Sequence, residues 1–375
     1  MLFNKSIEEI KKLPMFFIVG SPRSGTTLLQ QILDANPEVI IPLEARFITL
    51  LKARYLNVNN WTESVLEEFI EHLYNDIEFS KGWGVDKEKL KQVILSLPKD
   101  KITFQLLCKI VYLSYATIYE KNNIKIIGDK KPLNSLFVKE LMEMFPEAFF
   151  IHIIRDYRAK IVSNRKWFAR KKVSLLAYQW VIGNKEIDIQ KAKYPRKFYT
   201  IRYEDLVVDS ERYAKEIAAF LNVNYFPEML NFHEKTSQEY AKSVSENDNQ
   251  FQVNLLNTLH NNLLKPINTE KVDSWKSELT EKDVRLADYI AHEYALSYKY
   301  YPLYTSSSVI LWIVKKWATV KVNLERLAIK LYHLTPDWIR FTTKSISMLL
   351  YKVFGFTHIY NPEFREEIKK KMAKK

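Results

Sequence analysis

The chain has 375 residues, 47% hydrophobic and 14% aromatic, with a formal net charge of +13. That length and apolar content suit one large domain or two, and the single cysteine, Cys108, excludes an intrachain disulfide and a cysteine metal cluster. Residues 306–375 carry 14 Lys+Arg against 5 Asp+Glu, so the body is only mildly basic and no nucleic-acid-binding face is expected.

Residues 1–14 mix Lys5, Glu8, Glu9, Lys11 and Lys12 with few apolar side chains and lack the apolar core of a signal peptide. No apolar run is long enough to span a bilayer, so a cytoplasmic enzyme is the expectation. The next stretch organises the chain. Phe16 to Val19 form a short apolar run, as in a parallel strand covered on both faces. Gly20-Ser21-Pro22-Arg23-Ser24-Gly25 makes a tight loop, and Thr26 and Thr27 open a helix carrying Leu28, Leu29, Ile32 and Leu33. Backbone N–H groups at such a helix start converge on one spot, where the helix dipole favours an anion. The spacing G-x-x-x-x-G matches a P-loop, but Thr26 stands where ATP and GTP enzymes place a lysine, and Arg23 lies inside the loop instead. The loop therefore reads as a site for a different anion rather than as a bare glycine turn.

Val39 to Ile41 make a second short strand between Pro37 and Pro42, with Glu44 and Arg46 at its C-terminal end, where open α/β sheets place ligands. Residues 47–120 read as a mostly helical insertion that would wall an acceptor site. In it Asp86 caps a helix bearing Leu90, Val93, Ile94 and Leu97 on one face, and Phe104, Leu107, Val111, Tyr115 and Ile118 make another stripe beside a buried Cys108. Further strands are expected over 124–127, 148–154 and 198–203. The first ends in Gly128-Asp129-Lys130-Lys131-Pro132, with a helix to Phe145. The second ends in Arg155-Asp156-Tyr157-Arg158, with a helix carrying Ile161, Val162 and Ser163. The third ends in Tyr203-Glu204-Asp205-Leu206. Helices over 175–189 and 211–221 complete an alternation that predicts an α/β fold: a P-loop-like, three-layer arrangement with a mainly parallel sheet and helices on both faces. Residues 224–275 read as polar and irregular. Thr280 and Asp283 start a helix that runs to Tyr294, and the style of the sequence changes after Pro302. The expected organisation is a main domain over 1–304 and a helical extension over 305–375.

From about Phe16 to Tyr304 the chain resembles the PAPS-dependent sulfotransferases, most of all the branch that includes the tyrosylprotein sulfotransferases. Pro22-Arg23-Ser24-Gly25-Thr26-Thr27 is similar to the loop that holds the 5′-phosphosulfate of 3′-phosphoadenosine 5′-phosphosulfate (PAPS). Glu44 falls where that branch carries its catalytic glutamate. Lys130, two positions before Pro132, matches the lysine that acts on the transferring group. Arg155-Asp156-x-Arg158 with Ser163 looks like the 3′-phosphate site. Tyr203-Glu204-Asp205-Leu206, then Lys265-Pro266-x-Asn268 and Trp275, complete the nucleotide site. A further arginine of that branch is replaced by Trp167, which leaves Arg165 or Lys166 as substitutes; its lysine before the tryptophan is Ser274 and its serine falls at Leu259, beside Thr258.

The resemblance implies sulfuryl transfer from PAPS, with PAP as product, to an acceptor hydroxyl. Such transfer needs chiefly positioning and charge stabilisation. Glu44 would be the general base if burial raises its pKa, Lys130 would neutralise the bridging oxygen, and Arg23 would assist. No metal is expected, since no cluster has metal-ligand spacing. The bland reading of Glu44 is an ion pair with Arg46, and that of Arg158 a surface ion pair. His152, inside an apolar strand, reads as structural; His233 and His260 lie in the irregular segment.

In the tail, Ile313, Trp317, Val320, Leu324, Leu327 and Leu331 share one helix face, flanked by Lys315, Lys316, Lys321, Arg326 and Lys330. Thr335-Pro336-Asp337 and Asn361-Pro362-Glu363 would start two more helices. Basic amphipathic helices over 309–375 suit an anionic membrane surface, here the inner face of the membrane; a helical cap packed on the body is the competing expectation. An acceptor alcohol on a lipid, sterol, glycolipid or carbohydrate fits this tail. Two other classes remain: a P-loop kinase or NTPase, and a peripheral membrane protein that binds a nucleotide without catalysis.

Overall fold

The computed structural model describes residues 3–118, 121–166, 172–234, 236–237 and 261–334. Five strands form one sheet: β1 (Met15–Val19), β2 (Val39–Ile40), β3 (Ile126–Lys130), β4 (Phe149–Ile154) and β5 (Phe198–Arg202), in the order β2-β3-β1-β4-β5. Every pairing is parallel. All five strands overlap the stretches expected to be strands. The exception in detail is β3, which continues through Gly128 and Asp129 to Lys130 rather than stopping at Ile127.

Alternation along β1 divides the core. Met15, Phe17 and Val19 face one apolar layer, shared with the helices of residues 47–118; Phe16 and Ile18 face the other, shared with Leu29, Ile32 and Leu33 of the Thr26–Asp34 helix. A strand buried on both faces in this way must be apolar at every position, and all five residues of β1 are buried. Gly128 is required by close approach: a Cβ there would lie 2.3 Å from Phe16 Cζ and 2.9 Å from Ile41 Cβ.

The helical insertion is observed as Phe47–Tyr55, Glu63–Tyr74, Ile77–Gly82, Lys87–Leu95 and Phe104–Ile118. Asp86 caps its helix by accepting from the Lys89 N–H at 2.8 Å, and Cys108 is buried. Of the expected second stripe only Ile118 is exposed. Thr280 accepts from the Asp283 N–H at 3.2 Å and caps the Glu281–Ala295 helix.

Both expectations for the tail meet on one helix, which packs on the body through one face and leaves the apolar stripe free on another. The Val309–Leu334 helix lies along the Val173–Lys193 helix, through Ala318, Val322, Glu325, Ile329 and His333. The stripe from Ile313 to Leu331 points outward and is exposed. The inward face has a polar lock as well as small apolar residues: Gln179 donates to Glu325 Oε2 at 3.0 Å, and Arg326 pairs with Glu186. The helices expected to start near Thr335 and Asn361 lie outside the described residues.

Gly128→Ala is expected to lower unfolding stability by about 1–3 kcal/mol, the usual cost of overpacking a filled core. A denaturant midpoint unchanged from wild type would contradict the crossing of Phe16 over β3.

Candidate active site

Because the strands are parallel, the segments leaving β1, β2, β3, β4 and β5 all emerge at one edge of the sheet. The loop after β1 is held from two sides. The Ser135 hydroxyl accepts from the Gly20 N–H at 2.9 Å and donates to the Gly20 carbonyl at 3.0 Å. Arg23 sits at φ 72°, a left-handed conformation that side chains other than glycine seldom adopt. Gly25, at φ 96°, is the N-cap of the Thr26–Asp34 helix and offers no side chain to its N–H groups. A Cβ on Gly25 would meet Tyr203 at 2.4 Å, so Tyr203, at the start of the Tyr203–Val208 helix, closes directly over the loop.

Arg155, at the end of β4, is the hub between loop and nucleotide-side segments. Its Nη1 donates to the Arg23 carbonyl at 3.3 Å, its Nη2 donates to the Lys271 carbonyl, and its guanidinium lies 4.3 Å from the Tyr203 ring centre. Arg23 Nε donates to the Ser163 hydroxyl at 3.0 Å, so the structure joins Arg23, Ser163, Arg155 and Tyr203 in one cluster. Burial pushes the Arg23 guanidinium below its ordinary value, the neighbouring Arg155 pushes the same way, and Glu44 opposes both. Two guanidiniums packed together in this manner call for an anion. Arg155 Nε and the Ser24 hydroxyl are buried without a hydrogen-bond partner, an unusual state for buried polar atoms. These orphaned donors, beside a helix start with open N–H groups, fit a ligand with separate phosphate-like groups such as PAPS.

Across the loop, Lys130 Nζ donates to Glu44 Oε1 at 2.6 Å and to the Thr27 hydroxyl at 3.2 Å. The Lys130 side chain is only 2% exposed, whereas that of Glu44 is 35% exposed. The burial expected of Glu44 is therefore absent: it stands at the mouth of the site. Its ion-pair partner is Lys130, while Arg46 is engaged by Asp76 and Glu78 at 3.5 Å each. Lys131 points away from Lys130, as adjacent residues at a strand end do, and pairs with Glu78 at 2.9 Å. Asp129 is buried, its carboxyl raised by desolvation and held down by Asn134, Tyr112 and Lys131.

Several expected residues lie elsewhere. Arg158 is neither on the surface nor open to a phosphate: it is buried, donates to both Asp156 oxygens at 3.0 and 2.8 Å, lies 3.7 Å from Asp288, and stacks 3.9 Å from the Trp275 ring centre. A buried guanidinium needs such compensation. Arg165 pairs with Asp283 at 2.7 Å and Lys166 with Glu278 at 2.8 Å; Trp167, Thr258, Leu259 and His260 are outside the described residues. Lys265 and Pro266 are exposed in a turn where Asn268 Nδ2 donates to the Pro266 carbonyl at 3.3 Å. Among the described residues this segment touches the site through Lys271, not through Lys265, Pro266 or Asn268. Glu204 fixes the helix that bears Ser163: it accepts from the Asp156 N–H at 3.0 Å and from the Tyr300 hydroxyl at 2.6 Å. Ser135 and Lys271 carry no sequence signal, since each acts through a backbone contact.

His152 is fully buried, with Nε2 2.9 Å from Asn184 Oδ1, and burial lowers its pKa from 6.5 to about 4. The folded state thus prefers the neutral ring. Its contribution to stability is complete above pH 6.5 and is lost as the pH falls from 6.5 to about 4, a loss of about 3 kcal/mol. An NMR titration of the ring should show no protonation at pH 6; protonation there would contradict a structural role.

A model described as the sulfotransferase family matches residues 14–228. A putative protein-tyrosine sulfotransferase of Caenorhabditis briggsae is 25% identical over 287 residues, which cover 74% of this chain and 86% of that protein. Protein-tyrosine sulfotransferase 1 of Danio rerio is 23% identical over 279 residues, 72% of this chain and 67% of the relative. Among solved structures, the sulfotransferase domain from the Synechococcus PCC 7002 olefin synthase is similar at a TM-score of 0.48 and 20% identity, covering 76% of this chain and 94% of that one. The family match spans the loop after β1, Glu44, Lys130, Arg155, Ser163 and Tyr203. On that match the chain belongs to the sulfotransferase family and is a PAPS-dependent enzyme.

Proposed function

We propose that this chain transfers the sulfuryl group of PAPS to the hydroxyl of an alcohol on a lipid, sterol, glycolipid or carbohydrate, with Glu44 as general base. The observation that carries the chemistry is Lys130, whose ammonium holds the Glu44 carboxylate and the Thr27 hydroxyl at once. A proton acceptor open to solvent and a buried cation at the head of the anion-binding helix stand one hydrogen bond apart. Glu44 takes the acceptor's proton as its oxygen forms the new S–O bond. The S–O bond to the donor's phosphate breaks, and its electron pair stays on the phosphate oxygen, which Lys130 neutralises. Arg23, Ser24, Gly25, Thr26 and Thr27 hold the 5′-phosphosulfate, and Arg155 with Ser163 and Tyr203 the 3′-phosphate side. PAPS supplies the activated sulfuryl group. The competing acceptor is a protein tyrosine, favoured by the names of the two relatives. Incubation with sulfur-labelled PAPS, lipid and sugar extracts, and tyrosine peptides separates the two; label in peptide alone would overturn the alcohol.

Donor binding depends on Arg155. A charged hydrogen bond is worth roughly 1.5–3 kcal/mol, so Arg155→Ala should weaken PAP binding about ten- to a hundredfold by calorimetry. Unchanged affinity in a folded variant would remove Arg155 from the donor site.

Glu44→Gln keeps the size of the side chain and removes the proton acceptor. It should bind PAP as wild type does and turn over about a hundredfold more slowly or worse, since general-base catalysis contributes about 10²–10⁴-fold. If Glu44 served only to pair Lys130, melting temperature would fall while turnover per folded molecule stayed within a few-fold.

A further inference from the structure

The Val309–Leu334 helix is apolar on two opposite faces, and only one of them is used. Ala318, Val322 and Ile329 are buried against the body. On the other side Ile313, Trp317, Val320, Leu324, Leu327 and Leu331 recur at four- and three-residue steps, each between 41% and 60% exposed. At 1.5 Å per residue this strip is about 27 Å long, and Trp312, Ile310 and Leu334 extend it. An exposed apolar strip of that length on one helix marks an interaction surface.

The charges say what covers it. Lys316 and Lys321 border the strip on opposite sides at helical spacing, and Lys330 and Lys315 lie further round; no carboxylate among the described residues pairs with any of the four. The one acid of the helix, Glu325, faces inward to Gln179, and the one arginine, Arg326, is engaged by Glu186. Lys316 lies 5.7 Å from the Trp312 ring centre, and both Lys321 and Lys172 lie over Trp317, at 5.4 and 4.7 Å. Every charged side chain that this helix places beside the apolar strip is therefore positive. A second copy would bring the same lysines against these. Residues 335–375, with 9 Lys+Arg against 4 Asp+Glu, would likewise add positive charge. An anionic lipid surface satisfies both the strip and the lysines: apolar side chains enter the acyl boundary, tryptophans sit at the headgroups, and lysines meet lipid phosphates and carboxylates. No described helix is long and apolar enough to cross a membrane, so the helix would lie in the surface plane.

We propose that the outer face of the Val309–Leu334 helix docks this enzyme on an anionic membrane surface. The docking helix is tied to the catalytic end of the fold. His333 Nδ1 lies 3.3 Å from the Thr49 carbonyl on the Phe47–Tyr55 helix, which follows Glu44, and its ring packs 4.7 Å from that of Phe137, which follows Lys130. The end of this helix thus contacts the elements that follow the proposed base and cation. The inference does not depend on the acceptor.

The test is sedimentation of the full chain with vesicles of phosphatidylcholine alone or with 30% phosphatidylserine. Wild type should bind the mixed vesicles at least tenfold more tightly, and 0.5 M salt should weaken that binding. In the full chain, Leu324→Glu with Leu327→Glu should lose at least tenfold in vesicle affinity while melting temperature and soluble turnover stay at wild-type values. Lys316→Glu with Lys321→Glu should remove the preference for phosphatidylserine. Equal binding to both vesicles, no binding, or full binding by the leucine variant would overturn the proposal. A fall of several degrees in the melting temperature of the leucine variant would show the face covered by the chain itself. Its conversion from dimer to monomer in light scattering would show a second copy there. Either result overturns membrane docking.

Discussion

Strand direction is the constraint on which the rest depends. With all five strands parallel, every chain exit lies at the same edge, and residues from 23 to 203 meet there without any long loop reaching across the molecule. The sheet order sharpens this. β1 lies between β3 and β4, so its loop is flanked by Lys130 on one side and Arg155 on the other. A connection reversing at the central strand opens a crevice at that point, and here its two rims carry different groups: the Glu44–Lys130 ion pair on one, the neighbouring Arg23 and Arg155 on the other.

The arginine rim is held in a state of electrostatic need. Arg23 and Arg155 repel each other, Arg23 is depressed by burial, and Arg155 Nε has no partner. Arg158, three residues on, shows the contrast. It is also buried, but acidic partners face it, Asp156 through two hydrogen bonds and Asp288 at 3.7 Å, although its Nη1 makes no hydrogen bond. Similar residues in one short segment thus differ in their partners: backbone carbonyls for Arg155, carboxylates for Arg158. Arg158 is consumed in binding β4's exit to the Glu281–Ala295 helix, and Arg155 keeps capacity in reserve. Binding an anion would relieve that repulsion, so ligation and folding are linked through these side chains.

Much of this was legible in the sequence, and the failures have physical causes. Strands buried on both faces declare themselves as apolar runs, as β1 and β4 do, whereas β5 is buried only at Phe198 and Ile201. The end of β3 was not legible, because its last residues face a polar site and carry Asp129 and Lys130 where the rule expects apolar side chains. Periodicity located the tail helix and its outer stripe but not the face that packs, because the inward face uses small or mid-sized residues that weigh little in such a pattern. Glu44's partner was missed for another reason: Arg46 is two residues away in sequence, whereas Lys130 is joined to it only by the pairing of β2 with β3. The resemblance located Lys265 and Asn268, yet the contact made there is a backbone carbonyl, which has no residue signature.

The ion pairs beside the site set how the helical insertion can behave. Lys131, Glu78, Arg46 and Asp76 form a line of alternating charges from the end of β3 into residues 76–78 of the insertion. Their side chains are largely shielded from water, so ordinary salt screens them weakly, and parting any one pair would strand a buried charge. The insertion is therefore tied by buried ion pairs to the sheet end that also carries Lys130. Swinging the insertion away from the sheet would part these pairs and leave charged side chains buried without partners.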